Sequence, residues 1–111
     1  MGRRQSAVIG SLQVNGDLII QPEAEADIAE AGDWYERQVS GLGIDFIHAV
    51  DRTLAAIRQN PLQYQIVWRQ FRRAGVARFP YSIIYRASVE SITVVACLHG
   101  RRNPKIWKRR S

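Results

Sequence analysis

Cysteine is almost missing from this chain: Cys97 is the only one in 111 residues. A lone thiol excludes both a disulfide framework and a thiolate zinc site within one molecule, and predicts a small buried hydrophobe instead. Long apolar runs are missing too. None approaches the roughly 20 residues that a bilayer-spanning helix needs, so no membrane partner is expected. The first twelve residues lack the apolar segment of a signal peptide, which predicts a cytoplasmic protein. Histidine occurs twice. His48 falls inside a predicted helix with no second ligand four residues on, so it reads as a surface residue, and neither a metal nor a cofactor is expected. With no internal repeat, linker or low-complexity tract, 111 residues allow one core and therefore one domain.

Carboxylates are scarce in one half only. Residues 23–59 carry three arginines against eight acids, a net −5, whereas residues 60–111 carry eleven lysines and arginines against Glu90 alone, a net +10. Solubility does not require such segregation. A field of that density on the C-terminal half points to a polyanion or an acidic protein segment as partner, bound more weakly as salt rises.

The periodicity predicts an α+β fold. Asn15-Gly16 suits a type I′ turn, which would join a strand at Leu18-Ile19-Ile20 to an outer hairpin arm over residues 7–14. We therefore divide the chain into an N-terminal extension, 1–16, and a single domain, 17–111. Pro22 is placed to open a helix, followed by Glu23, Glu25 and Asp27, where the helix dipole favours negative charge. Ala24, Ile28, Ala31 and Tyr35 form its apolar stripe with Trp34 beside it, and Ile47, Val50, Leu54 and Ile57 form that of a second helix with Phe46 alongside. The short break at Ser40-Gly41-Leu42-Gly43, with Ser40 as the expected cap, makes 22–59 an antiparallel helical hairpin. From Tyr64 the period changes to two, predicting strands at 65–69, 72–79, 81–87 and 91–98 in an antiparallel meander. The last alternates Ile92, Val94, Ala96 and Leu98 with Thr93, Val95 and Cys97, as a central strand covered on both sides would, and the N-terminal strand is expected beside it. The helices should cover one face of the sheet, leaving the other partly open and lined in part by Arg72, Arg78 and Arg86.

Four local patterns then resemble a known family. They are Pro22-Glu23-Ala24-Glu25-Ala26-Asp27-Ile28 running to Trp34-Tyr35-Glu36; Gly41-Leu42-Gly43 to Phe46; Arg78-Phe79-Pro80-Tyr81-Ser82-Ile83-Ile84-Tyr85-Arg86; and Val95-Ala96-Cys97-Leu98-His99 followed by Arg101-Arg102-Asn103-Pro104 and Trp107. In this order, over residues 18–107, they are similar to ParE-type toxins, the plasmid-stabilisation proteins of the RelE/ParE superfamily. Gln21 stands where that family often has Ser, and some 17 residues precede the family's usual start.

The resemblance implies the toxin of a type II toxin–antitoxin pair, which inhibits DNA gyrase by binding, without catalysis, and is neutralised by a cognate antitoxin. A disordered antitoxin segment that folds across the open side of the toxin would fit; a homodimer is a further candidate partner. Arg101, Arg102 and Trp107, with Arg78 and Arg86 behind them, are the residues we assign to target contact, an aromatic among arginines being suited to a desolvated anchor. The competing reading is a metal-independent endoribonuclease of the RelE type, cutting mRNA on the ribosome. Such chemistry needs a proton carrier and phosphate ligands in one cleft, for which Arg78, Arg86, His99 and Arg101 are the catalytic candidates. Against it, both lysines, Lys105 and Lys108, fall in the tail, and no tyrosine follows Tyr85. Sequence-specific DNA binding is not expected, because both helices are acidic or mixed and neither suits a major groove.

Overall fold

A computed structural model describes residues 17–110; the outer hairpin arm expected at 7–14 lies outside them. Strand β1 (Asp17–Ile20) is followed by α1 (Pro22–Gln38), α2 (Leu42–Gln59), β2 (Gln65–Trp68), β3 (Phe71–Gly75), β4 (Tyr81–Ala87), β5 (Ser91–His99) and the single-turn α3 (Lys105–Lys108). The strands make one sheet in the order β1-β5-β4-β3-β2. β1 runs parallel to β5, and the remaining pairs are antiparallel. The predicted meander and the place of the N-terminal strand therefore both hold.

Pro22 opens α1 behind an extended Gln21, with Glu23 and Glu25 in the first turn. The expected cap at Ser40 does not form. Gly41 takes a φ of +90°, a conformation costly to residues with a side chain, and the free amides of α2 are met from the other helix. The Glu36 carboxylate accepts hydrogen bonds from the Gly41 and Gly43 N–H groups at 3.0–3.1 Å. Close approach explains the second glycine: a Cβ on Gly43 would stand 2.6 Å from the Gly32 carbonyl oxygen. The two helices thus cross at backbone contact. In α2 the buried stripe is Phe46, Val50, Leu54 and Ile57, with Ile47 only half-buried. Phe46 packs its ring against Phe79 and Tyr81, each 5.2 Å away.

Two cores result. One fills the space between the helical hairpin and the sheet, with Tyr35, Phe46, Leu54, Ile83, Tyr85 and Cys97 among its members. Buried Tyr85 donates its hydroxyl hydrogen to the Pro61 carbonyl, and Arg72 reaches the Leu62 and Tyr64 carbonyls at 3.1 and 2.7 Å, so both fasten the α2–β2 connection. Arg72 therefore lies on the helix-covered side of the sheet, a correction to the expectation that it lines the open one. The second core covers the other face with Phe71, Ile84, Val95, Ala96, Leu98 and Trp107. Strict alternation in β5 fails here. A register shift between Ile84 and Tyr85 of β4 leaves Val95 as the extra residue, so Val95 and Ala96 face the same side. The face expected to be open is partly closed by α3. β3 is also shorter than predicted, because the Phe79 N–H turns back to the Val76 carbonyl and Arg78 adopts a φ of +69° in the turn.

Burial sets an alkaline limit on this fold. It pushes the Cys97 thiol from 9.0 up to about 12, and the Tyr85 hydroxyl from 10.0 up to about 12. Both folded-state values are raised, so their contribution is complete below the unfolded values and is lost as pH rises from 9 toward 12. Urea midpoints should fall through that interval, each group contributing about 1.4 kcal/mol per pH unit once it ionises in the unfolded chain alone. Cys97→Ala should flatten the lower part of the decline; an unchanged slope would contradict a neutral buried thiol.

Candidate functional site

Two adjacent exposed arginines, Arg101 and Arg102, follow the end of β5. Tyr81 and His99 are register partners at the last rung of the β4–β5 ladder, their rings 5.4 Å apart. Beyond them the chain folds back in a loop held by its own backbone. The Gly100 N–H donates to the Pro80 carbonyl at 2.8 Å, and the Arg102 N–H to the His99 carbonyl at 2.9 Å. The Arg101 N–H donates to His99 Nδ1 at 3.1 Å, and Asn103 Oδ1 accepts from the Lys105 N–H at 2.9 Å at the start of α3. Arg101 and Arg102 are exposed on a loop whose path these bonds define.

Arg102 stands between two hollows. A groove of about 370 Å³ runs between α1 and the ends of β4 and β5; its α1 wall carries Asp27, Glu30, Asp33 and the half-exposed Trp34, opposite Tyr81, His99 and Arg102. Burial raises the Tyr81 hydroxyl above its ordinary value, and the Arg102 guanidinium pulls it back in part. The second hollow, about 80 Å³, opens on the other sheet face and is lined by Arg73, Ser82, His99, Arg102 and Trp107 among others.

The chain end is fastened across this region. Arg110 meets Asp27 through two nitrogens, at 2.7 and 3.2 Å, and donates to the Val95 carbonyl at 3.0 Å. Asp27 also accepts the Cys97 N–H at 3.0 Å, and this carboxylate raises the Arg110 guanidinium further above its already high value. An acid read from sequence as a helix-dipole partner is thus the anchor for both β5 and the residues that follow α3.

Several assignments made from sequence are redistributed. Trp107 is only 7% exposed and packs its ring 5.6 Å from Trp68 and 5.7 Å from Phe71, so it is a core residue, not a projecting anchor. Arg78 lies exposed in the β3–β4 turn, beside Phe79 and near Asp45 of α2. Arg86 is at the far end of β4, opposite Thr93 and Phe71. With Tyr81 and Arg86 five residues apart, roughly 17 Å of strand, Arg78, Arg86, His99 and Arg101 do not share a cleft. The arginines that do line one hollow with His99 are Arg73 and Arg102. Sequence could not select Arg73, because adjacent Arg72 and Arg73 must face opposite sides and only the register tells which. Among the described residues no group of three or more His, Cys, Asp or Glu side chains is arranged to hold a metal ion, and no helix is long and apolar enough to cross a membrane.

Residues 18–104 match the family described as the ParE toxin of the type II toxin–antitoxin system, parDE. Among solved structures, a chain of the chromosomal ParDE TA system from P. aeruginosa is similar with a TM-score of 0.66 and 17% identity, over 77% of this chain and 96% of that one. No curated protein matches the chain.

Proposed function

The chain belongs to the ParE toxin family of type II toxin–antitoxin systems, and from that premise we propose that it stalls DNA gyrase by binding and is neutralised by a cognate antitoxin. Inhibition of this kind needs no reactive centre; it needs tighter binding to one state of the gyrase cycle than to the others. The observation that carries the reading is the loop that displays Arg101 and Arg102, two exposed cations on a backbone whose path is already set by hydrogen bonds, so that little backbone ordering is needed on association. Residues 60–111, net +10, supply the surrounding field.

RNA scission is the second reading, and one observation favours it: Arg73, Ser82, His99 and Arg102 line a single small hollow. His99 is poorly set as a base there, since its Nδ1 lone pair is taken by the Arg101 N–H.

Arg101→Ala with Arg102→Ala is expected to abolish growth arrest on induction while leaving stability within about 0.5 kcal/mol, as both side chains are exposed. Arrest that persists in a folded double variant would remove these residues from target contact. In cell-free translation the intact protein should leave messages uncut; cleavage that disappears in His99→Gln would favour the nuclease instead.

A further inference from the structure

The second sheet face carries a feature that the loop does not absorb. Trp68, Phe71 and Trp107 form a triangle of rings 5.6–5.7 Å apart, and cations sit over their faces. The Arg69 guanidinium lies 4.3 Å from the Trp68 centroid, Lys108 Nζ lies 5.2 Å from the same ring, and the Arg86 guanidinium lies 5.9 Å from Phe71. Arg69 adopts a φ of +52°, in a region that a long side chain rarely occupies, at the β2–β3 turn. The strand register adds Arg73, which shares the side of Phe71 and pairs with Ile84 of the second core. On this side β3 and β4 present Phe71, Arg73, Gly75, Ser82, Ile84 and Arg86, with no carboxylate among them.

We propose that Arg69, Arg73, Arg86 and Lys108, grouped about the Trp68, Phe71 and Trp107 rings, grip the phosphate backbone of duplex DNA without reading its sequence. Ring faces already covered by cations are not available to stack unpaired bases, so the contact is to phosphates rather than to a splayed single strand. Cations preset against rings lose less side-chain freedom on binding than solvated ones do. The surface binds a polyanion whether or not gyrase is the target, and it is tested without gyrase.

Fluorescence anisotropy of the full chain with two short duplexes of unrelated sequence, across a salt series, is the experiment. Both duplexes should bind equally, with log K falling against log salt at a slope of roughly −3 to −4 for four phosphate contacts. Arg69→Gln and Arg73→Gln, both exposed in the folded chain, should each reduce that slope by about 1. Arg37→Gln on α1 should leave it unchanged. Thermal melts identify any variant that has lost its fold, and the two exposed sites carry the test if Arg86→Gln does not fold. Slopes unaffected by every substitution would overturn the proposal, as would absence of binding at low salt. Displacement of the DNA by polyglutamate at equal charge concentration would assign the face to an acidic protein partner and overturn it equally.

Discussion

Trp107→Ala is expected to lower stability by about 3–5 kcal/mol, the loss usual for a buried large aromatic. The indole is 7% exposed and completes a ring triangle with Trp68 and Phe71 beneath the sheet. It also holds α3, a single turn with no stability of its own, against Leu98 and Val95. Truncation should release that turn, uncover Phe71 and lower the urea midpoint, with the near-ultraviolet signal of the aromatic cluster collapsing. Trp107→Phe, which keeps most of the apolar volume, should recover much of the loss. A drop of less than about 1 kcal/mol for the alanine variant would mean that the second core is not cooperative with the first.

The second large effect is expected at Asp27. This carboxylate serves a guanidinium and a backbone amide at once, and both it and Arg110 are more than four-fifths buried. Asp27→Ala should cost about 2–3 kcal/mol, chiefly because the Cys97 N–H inside the sheet–helix interface loses its acceptor. Arg110→Ala should cost less, since the anion keeps the amide. Both side chains keep some contact with solvent, so the loss should fall short of the 3–5 kcal/mol typical of a fully enclosed ion pair. A double-mutant cycle separates the contributions: the coupling should be about 1–2 kcal/mol. Equal losses in both single variants would show that the ion pair, not the amide bond, dominates.

The parts of the fold that were legible in sequence are those fixed by local periodicity. Ala24, Ala31 and Tyr35 on α1, and Val50, Leu54 and Ile57 on α2, mark their buried stripes by spacing alone. Pro22 and Asn60-Pro61 mark helix ends, and the meander follows from period-two runs separated by short turns. Features set by long-range packing were not legible. Ser40 has the right side chain for a cap, but Glu36 fills that role from the preceding helix, a contact that depends on how closely Gly32 and Gly43 let the helices cross. Asp27 and Arg110 stand 83 positions apart, and nothing local pairs them. Trp107 looked like an anchor because its neighbours are cationic; one turn of helix buries it against Trp68, which no spacing rule connects to it. The shift in β5 similarly moved Ala96 away from the face its alternation suggested.

At the candidate site, residue types were easier to read than arrangement. The concentration of arginine after residue 60 and the Arg101-Arg102 pair were visible at once. Their grouping was not, because it depends on which strand ends meet: β4 carries Arg86 away from His99 while the β5 loop brings Arg102 to it.

Plasmid supercoiling by purified gyrase, titrated with the purified toxin, tests the central claim most directly. Supercoiling should fall to completion as the toxin saturates the enzyme, and the Arg101→Ala, Arg102→Ala double variant should leave it intact at the same concentrations. Full supercoiling in the presence of excess folded toxin would contradict gyrase as the target.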